Sequence, residues 1–456
     1  MSRTFKKKDE NVVAEAPQKI IAPPPGVPRP TSPTSQPFHG VPGLPQGLMG
    51  HQFKGSPMTG NSTLLAQNRG PINATSGGLP AQSVGGTEKA AKNSGPPVPG
   101  EGLPRAINYY ADYGGCGLWR MIWPSMMLNG YSKAVMNDLT MMLPIEHFYE
   151  GAGAVRIQRQ ASVDQRSFAH FLATSQQKHG FNLIYEVDDV IFGEDIPDYN
   201  RCKDAFVDPK LKDNIKYIIG LCNKFSVVSP YMREYYINKL SLDPDMVKVV
   251  PNYPPRFWLD NYYNHENKME QYDQNKKRPR IGYCGSGTHF DVANRTGYND
   301  DFSHVSEYVL ATLKEYQWVF LGGIPPALRR YQEDGTIEVF PWCPIYEFPR
   351  TMASLNLQAV VAPLADNEFN RAKSNIKVLE SGALGIPGTF QDIPCYSDIG
   401  PSLFTTGEEM LMNIGKILQD EDSYSAAVKQ ARAIAEENWL EDHLGEYEAL
   451  YFDKRG

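Results

Sequence analysis

The sequence predicts a parallel α/β protein with two α/β units, and three observations support this class. A short apolar strand, a polar loop, a helix-period segment and a second apolar run follow one another between Val360 and Pro387. Strand and helix signals alternate from about residue 103 onward. A further strand that leads into a glycine-rich loop begins at Arg280 and opens the second unit. Because such sheets bind ligands beyond the carboxyl ends of their strands, these loops are where we expect function.

Composition excludes several classes of protein. The 456 residues are 21% charged and 41% hydrophobic, as in ordinary globular proteins. No run approaches the roughly 18 apolar residues that a membrane span needs, and the N-terminus lacks the apolar core of a signal peptide. We therefore expect a cytoplasmic protein, in the host cytoplasm if a phage encodes it. The six cysteines are scattered, which argues against a disulfide framework and against a zinc site.

Residues 1–102 differ from the rest of the chain. They hold sixteen of the 36 prolines and carry a net charge of +5, which leaves −12 for the remainder. Such a segment is predicted to be disordered, because it buries too little apolar surface to offset the entropy of ordering it. It is either a solubilising tether or, given Lys6–Lys8, a docking arm for a larger assembly or a polyanion. The acidic remainder does not indicate a strongly basic nucleic-acid-binding surface.

The first unit, residues 103–255, is predicted from alternating signals. Its elements are strand Ala106–Asp112, glycine turn Gly114–Gly117, helix Leu118–Leu128 with a kink or late start at Pro124, strand Ala154–Gln158, helix Asp164–His179, strand Phe181–Asp189, strand Phe225–Ser229, helix Pro230–Lys239 and a closing strand from Val247. The glycine turn serves either close approach of a ligand or simply a tight turn. The dinucleotide fingerprint is absent, since no acidic residue ends a clear second strand about twenty residues on.

Two adjacent carboxylates, Asp188 and Asp189, end the strand that begins at Phe181. They could hold a divalent metal, face an acceptor in a cleft as base or hydrogen-bond partner, or cap the next turn. The metal reading is the weakest, because no further ligands stand at a suitable spacing.

The second unit, residues 279–425, follows a linker or insertion at residues 256–278. Its predicted elements are the strand from Arg280, a helix near Phe302–Glu315, strands Trp318–Gly323 and Ile337–Phe340, helix Tyr346–Asn356 and strand Val360–Leu364. Helical pattern then runs from about Glu408 to the end. The loop Gly285–Ser286–Gly287 suits phosphate, although this short motif is weak by itself.

The segment after Val360–Leu364 carries the most chemistry. With Ser374 as N-cap, continuous helical geometry would place Asn370, Lys373, Lys377 and Glu380 within an arc of about 80°. The helix amides, with Lys373 and Arg371, would form a diphosphate site. Glu380, roughly 9 Å further along the helix, would accept hydrogen bonds from a ribose. The alternative is an ordinary surface with i, i+4 ion pairs.

The sequence resembles the GT-B glycosyltransferases, closest to the retaining family 4 type that includes bacterial and phage members. The matching segments are Gly114–Arg120, Tyr185–Asp189, Val250–Asn252, Ile281–His289 and above all Asn370–Glu380 with Gly385–Pro387. They occur in the family's order and cover about residues 105–450. The resemblance implies two Rossmann-like domains that face across a cleft, after the Pro/Gly-rich tail. It also implies C-terminal helices, residues 426–456, that cross back to the first domain.

Residue roles follow from that resemblance. It implies that Glu380 binds the ribose, that Lys373 with Arg371 neutralises the leaving diphosphate, and that the donor side also involves a set of loop and helix residues. This set is Gly285, Ser286, Gly287, Thr288, His289, Asp366, Ser374 and Lys377. No obligatory metal or other cofactor is implied, since the nucleotide sugar is a co-substrate. The family places a second glutamate where this chain has Ala372, so Glu368 or Asp366 would have to contact the sugar.

The resemblance thus implies transfer of a hexose or pentose from a nucleotide-diphosphate sugar to an acceptor hydroxyl, with retention. Asp188 or Asp189 would contact the acceptor. The acceptor could be a glycan, a lipid or a modified base in DNA. The alternative is a degenerate module of this fold that serves as a binding or structural protein, which Ala372 favours and Lys373 and Glu380 oppose.

Overall fold

Two parallel β-sheets of six strands each organise the chain. The structure, a computed structural model, describes residues 103–132, 134–400 and 402–453. The predicted disordered tail lies outside these residues. The first sheet has the order β2-β1-β3-β4-β5-β6 and the second β12-β11-β10-β7-β8-β9, and every pairing is parallel. The predicted α/β class with two sheets is therefore confirmed. We call the two sheets, each with the helices that pack on it, the first lobe and the second lobe.

The strands are short and mostly apolar. They are β1 Arg105–Tyr109, β2 Val135–Leu139, β3 Ala152–Gln158, β4 Asn182–Glu186, β5 Lys224–Val227, β6 Val247–Val249, β7 Arg280–Gly285, β8 Gln317–Gly322, β9 Glu338–Phe340, β10 Ala359–Ala362, β11 Gly388–Gln391 and β12 Leu403–Phe404.

Helices connect successive strands except β2 and β3, which are joined by a loop with a 3₁₀ turn at Glu146–Tyr149. They are α1 Gly115–Gly117, α2 Trp123–Tyr131, α3 Val163–His179, α4 Pro209–Leu221, α5 Pro230–Leu240, α6 Arg256–Leu259, α7 His265–Asn275, α8 Ser306–Ala311, α9 Arg329–Glu333, α10 Phe348–Ser354, α11 Glu368–Arg371, α12 Ile376–Ala383, α13 Pro394–Ser397, α14 Gly407–Ile417, α15 Glu421–Glu436 and α16 Leu444–Phe452. Capping residues fix both ends of α3. Ser162 and Gln165 form a capping box at its start, and Gly180 ends the helix in the left-handed conformation, with φ 75°.

Sequence patterning misses one strand and one helix in the first lobe. The expectation that no clear second strand exists is wrong, because Val135–Leu139 forms β2 and carries Asp138 near its end. This strand lies at the edge of the sheet, so its half-polar sequence lacks the apolar run of a central strand. The missed helix is α4, which Asp208 caps and Pro209 begins. The helix predicted near Phe302–Glu315 is shorter, at Ser306–Ala311.

The first helical segment starts before Pro124. A π-helical turn, Leu118–Ile122, joins α1 to α2, and the Trp123 amide donates to the Leu118 carbonyl. Because α2 continues from this turn, Pro124 lacks an N–H that could bond to the Arg120 carbonyl, and that carbonyl instead accepts a hydrogen bond of 3.0 Å from Arg156. The irregularity expected in this helix at Pro124 is therefore a π-helical turn that precedes the proline.

A buried ionic cluster joins the first sheet to the end of the chain. Glu186 of β4 pairs with Arg120 at 2.6 Å and with Arg156, and all three side chains are fully buried. Arg156 also donates to the Tyr451 hydroxyl at 3.2 Å, and that hydroxyl donates to Asn108 at 3.0 Å. Since Tyr451 lies on α16, the last helix packs on the first lobe although it follows the second lobe in sequence.

Residues 256–278 contain α6 and α7 rather than an irregular linker. Asn264 caps α7 by accepting a hydrogen bond from the Asn267 amide. The Tyr272 ring of α7 stacks on Tyr424 of α15 at 4.6 Å. This segment is therefore packed against the helices that follow the second sheet.

Candidate functional site

The glycine loop after β7 lies at the carboxyl end of the second sheet. Ser286 Oγ lies 2.6 Å from Thr288 Oγ1 and accepts a hydrogen bond of 3.4 Å from the Thr288 amide. A Cβ added at Gly285 would lie 2.8 Å from Nζ of Lys377, whereas one added at Gly287 would meet nothing within 4 Å. The lack of a Cβ at Gly285 therefore leaves room for the Lys377 side chain, and the space beside the Gly287 backbone is open.

Lys377 and Glu380 lie together on α12. Nζ of Lys377 donates to the Cys284 carbonyl and lies 4.8 Å from the centre of the Tyr283 ring. Burial lowers the pKa of Lys377, against the attraction of Glu380. Burial raises the pKa of the Glu380 carboxyl, against the attraction of Lys377. Both side chains line one small cavity next to Cys284. A cation and a carboxylate are thus held beneath the glycine loop.

The predicted start of this helix is wrong. α12 begins at Ile376, the residue before it is Asn375 rather than Ser374, and no side chain caps it. Continuous helical geometry also fails, because α11 ends at Arg371 and the chain bends before α12. Only Lys377 and Glu380 of the predicted arc share a helix, and Asn370 and Lys373 are positioned by other contacts.

Lys373 joins the second lobe to the first. Its Nζ lies 3.7 Å from Asp189 Oδ2 and 4.3 Å from the centre of the Phe369 ring. Burial acts against the charge on Lys373, but Asp189 and then Asp301 outweigh it and raise the pKa of the lysine. Burial raises the pKa of Asp189 in spite of Lys373. The predicted phosphate-binding lysine and one predicted acceptor-side carboxylate thus face each other across the cleft.

Three other predicted residues form exposed pairs. Arg371 makes a bidentate ion pair with Asp366, at 2.5 and 2.8 Å. Glu368 accepts a hydrogen bond of 2.8 Å from the hydroxyl of Tyr231, which lies on α5 of the first lobe. The structure therefore places Arg371, Asp366 and Glu368 at the rim of the cleft.

Asp301 is a buried junction that sequence patterning did not single out. Its Oδ2 lies 2.7 Å from Nδ1 of His289, and its Oδ1 accepts from Tyr199 at 2.6 Å and from Asn370 at 2.6 Å. The Ala365 amide donates to the same Oδ1 at 2.9 Å. Burial would raise the pKa of Asp301, but the hydrogen bond from His289 leads the contacts that hold it below the usual range. This carboxylate organises both sequence segments predicted to bind the sugar donor.

His289 is held in the neutral form. Burial lowers the pKa of the imidazole to about 4, in spite of the attraction of Asp301, and Lys373 and Lys377 lower it further. Because an ionised carboxylate only accepts hydrogen bonds, Nδ1 must carry the proton. Nε2 is then the ring nitrogen with a free lone pair.

Ala372 has no access to the cleft. It is fully buried, belongs with Phe369 to the hydrophobic core of the first lobe, and its carbonyl accepts a 3.4 Å hydrogen bond from Ser229. A glutamate in its place could not reach a sugar without leaving this contact. A glutamate at position 372 would therefore lie where the two lobes meet.

The first lobe presents a second cluster at the carboxyl ends of its strands. Arg159, which follows β3 at φ 47°, lies 2.6 Å from Asp112 and 3.5 Å from Asp188. Asp112 also accepts from the amides of Gly114 and Gly117. Burial would raise the pKa of Asp188, but Arg159 lowers it. The guanidinium therefore ties the glycine turn to the paired aspartates.

Sequence reasoning missed Arg159, Asp112, Tyr199 and Asp301. The signal for Asp112 and Arg159 was their position immediately beyond two strands of one sheet, where side chains converge. No local signal marked Tyr199 or Asp301, because both lie in irregular loops.

Within residues 103–132, 134–400 and 402–453, no group of three His, Cys, Asp or Glu side chains could hold a metal ion. Both members of the Asp188–Asp189 pair instead have a cationic neighbour. In the same part of the chain, no helix has the length and apolar character needed to cross a membrane.

Solved structures show where this architecture recurs. HepE of Anabaena in complex with UDP is 11% identical over 76% of this chain and 98% of its own, with a TM-score of 0.51. The same protein with UDP-glucose is 10% identical over 76% of this chain and 100% of its own, with a TM-score of 0.50. A glycosyltransferase from Rickettsia africae is 13% identical over 76% of this chain and 99% of its own, also with a TM-score of 0.50.

The chain has the GT-B fold of these proteins. The likeness spans both sheets, since it covers three quarters of this chain and nearly all of each of the others. Because the sequence identities are so low, the likeness shows the fold and assigns no role to any residue. No protein-family model matches the chain, and no curated protein sequence does.

Proposed function

We propose that this protein is a retaining glycosyltransferase, of the family 4 type found in bacteria and phages. It transfers a sugar from a nucleotide-diphosphate donor to an acceptor hydroxyl. One observation carries the proposal: Lys373 and Lys377 both lie near the loop Gly285–His289, and Lys373 faces Asp189 of the other lobe. The fold supports it, since structures that share the fold were solved with UDP and UDP-glucose.

The leaving group explains the need for two lysines. Cleavage of the anomeric bond leaves an additional negative charge on the diphosphate, and fixed cations stabilise that charge most in the transition state. Lys373 is the better candidate for the leaving oxygen, because its pKa is raised and it faces the cleft. Lys377 lies under the glycine loop, where it would hold the other phosphate.

The nucleoside would extend from the phosphates toward Glu380, whose carboxylate accepts hydrogen bonds from the ribose hydroxyls. Ser286, Thr288 and His289 line the phosphate side of the same loop. At the sugar end, Asp366 or Glu368 would replace the carboxylate missing at Ala372. Either would first have to leave its present partner, Arg371 or Tyr231. We propose that none of these contacts needs a metal or another cofactor.

The acceptor would lie on the first lobe beside Asp188 and Asp189. At this wall of the cleft, Arg159 is paired with both Asp112 and Asp188. Such a wall attracts neutral hydroxyls better than phosphates. It therefore favours a glycan or an uncharged part of a lipid acceptor over a hydroxymethylated base in phage DNA, which remains the second candidate.

A catalytically degenerate module that only binds its ligand is the alternative function, and Ala372 is the observation in its favour.

For either function we propose a cytoplasmic location, or the host cytoplasm for a phage-encoded protein. We further propose that the N-terminal tail docks the protein to a larger assembly.

The test measures hydrolysis and binding of a panel of nucleotide sugars by the full chain and by Lys373→Met. We expect one donor to be turned over, and the variant to lose roughly 100-fold in kcat, as on removal of one group that stabilises a developing charge. Lys239→Met is the matched control, because Lys239 pairs with Asp195 at 2.5 Å within the first lobe. Nucleotide binding without turnover of any donor would show that the protein is the degenerate module. Near-normal turnover by Lys373→Met would overturn the role proposed for this lysine.

A further inference from the structure

Asp301 receives hydrogen bonds from both lobes. Its partners His289, Ala365 and Asn370 belong to the second lobe, whereas Tyr199 belongs to the first, 102 residues earlier in the chain. Asp301 is only 1% exposed, and Tyr199 is also buried. Because a hydrogen bond to a buried charge is stronger than one in water, the Tyr199 contact is a strong polar link across the cleft.

The Tyr199 hydroxyl holds more than the carboxylate. It also accepts from the side-chain amides of Asn367 at 3.3 Å and Asn370 at 3.1 Å. Asn370 in turn donates to the Ala365 carbonyl at 2.8 Å. One hydroxyl of the first lobe is therefore bonded to two residues of the loop at residues 365–370, Asn367 and Asn370, and is linked through Asp301 to His289.

Other polar links across the cleft differ in burial. The Arg295–Asp204 and Tyr231–Glu368 contacts lie at the surface. Exposed pairs of this kind contribute little, because water and salt screen them. Closure of the lobes therefore changes the surroundings of Asp301 far more than those of the exposed pairs.

We propose that Tyr199 is a positioning residue through which closure of the first lobe completes the sugar-donor site in the second. This inference rests on the proposed function, because it takes the loop Gly285–His289 and residues 366–369 as donor contacts. When the lobes separate, Asp301 loses one of its hydrogen-bond donors, and Asn367 and Asn370 lose their shared acceptor. His289 and the 365–370 loop are then held less firmly, so the reactive geometry exists in the closed state.

The variant Tyr199→Phe tests the proposal, because it removes one hydroxyl and keeps the ring. Tyr235→Phe is the matched control: Tyr235 donates to Asp195 at the same 2.6 Å, but within the first lobe. We expect Tyr199→Phe to lower kcat roughly tenfold, the range for a lost hydrogen bond to a charged group. The KM for the nucleotide sugar should change less than threefold, since the nucleotide half binds the second lobe alone. Tyr235→Phe should keep wild-type kcat.

A second readout does not depend on turnover. The charged groups that face His289 are Asp301, Lys373 and Lys377. Loss of the Tyr199 hydroxyl leaves Asp301 with more negative charge toward the imidazole, so the pKa of His289 should rise, and Tyr235→Phe should not move it. Histidine NMR signals followed against pH, with His289→Asn for assignment, measure this shift.

Equal kcat and equal imidazole titration in the two tyrosine variants would overturn the proposal. If the wild-type protein turned over no donor at all, the proposed function would fail, but the titration would still support or overturn the contact between the lobes. The two failures are therefore distinguishable.

Discussion

Replacement of Ala372 by glutamate is the most direct test of how the lobes meet. The family pattern has a glutamate at this position, so the resemblance alone predicts that Ala372→Glu would improve the enzyme. The structure predicts the opposite, because Ala372 is fully buried in the hydrophobic core of the first lobe. The new carboxylate would enter this apolar core, while the adjacent Arg371 is paired with Asp366 and the adjacent Lys373 faces Asp189.

The magnitude follows from that burial. An uncompensated buried charge costs about 3 to 5 kcal/mol. Since each 1.36 kcal/mol is tenfold in an equilibrium constant, even about 3 kcal/mol would reduce the ratio of closed to open molecules roughly 100-fold. The lobes can avoid this cost by separating, because Ala372 belongs to one lobe and its neighbours to the other. We therefore expect kcat/KM to fall roughly 100-fold, with a smaller change in melting temperature.

Initial rates with the donor found in the panel measure the loss, and small-angle X-ray scattering measures whether the lobes separate. Ala372→Ser is the control, because it adds a polar atom of similar size without a charge and should cost about 1 kcal/mol. Activity of Ala372→Glu equal to or above that of the wild type would refute the reasoning. It would mean that this position faces the sugar and that the lobe contact is not part of the active state.

Two further predictions concern nucleotide binding and the glycine turn. Burial raises the pKa of Glu380, so a ribose that needs the carboxylate must displace a proton, and affinity for the nucleotide diphosphate of the donor found in the panel should increase as pH rises through that pKa. Calorimetry at several pH values checks this, and Glu380→Gln should show weak binding without that dependence; a parallel pH dependence in both proteins would exclude Glu380 as its source. A Cβ at Gly117 would lie 1.8 Å from the Asp112 carbonyl oxygen, so Gly117→Ala should lower stability by roughly 2 kcal/mol or more. Gly115→Ala, where a Cβ meets nothing within 4 Å, should stay within about 0.5 kcal/mol in thermal or urea unfolding, and equal losses in both variants would contradict the argument.

Much of the fold could be predicted from local patterns. Central strands such as Ala359–Ala362 are apolar on both faces, so a buried parallel sheet could be predicted. The edge strand β2 was not, because one side of it lacks a neighbouring strand and its sequence is half polar. The helix that follows β10 was recognisable, but its start was not, since tertiary contacts of Asn370 and Ala372 break it into α11 and α12.

The sequence by itself determined the α/β class, the two sheets and the loops that lie beyond their carboxyl ends, because strand and helix periods and glycine loops are local properties of a chain. Only the tertiary structure decided that Ala372 is buried between the lobes, that Arg159 joins Asp112 to Asp188, and that Tyr199 reaches Asp301. Those contacts join residues up to 143 positions apart, and no local pattern encodes which loops the packing of two lobes will bring together.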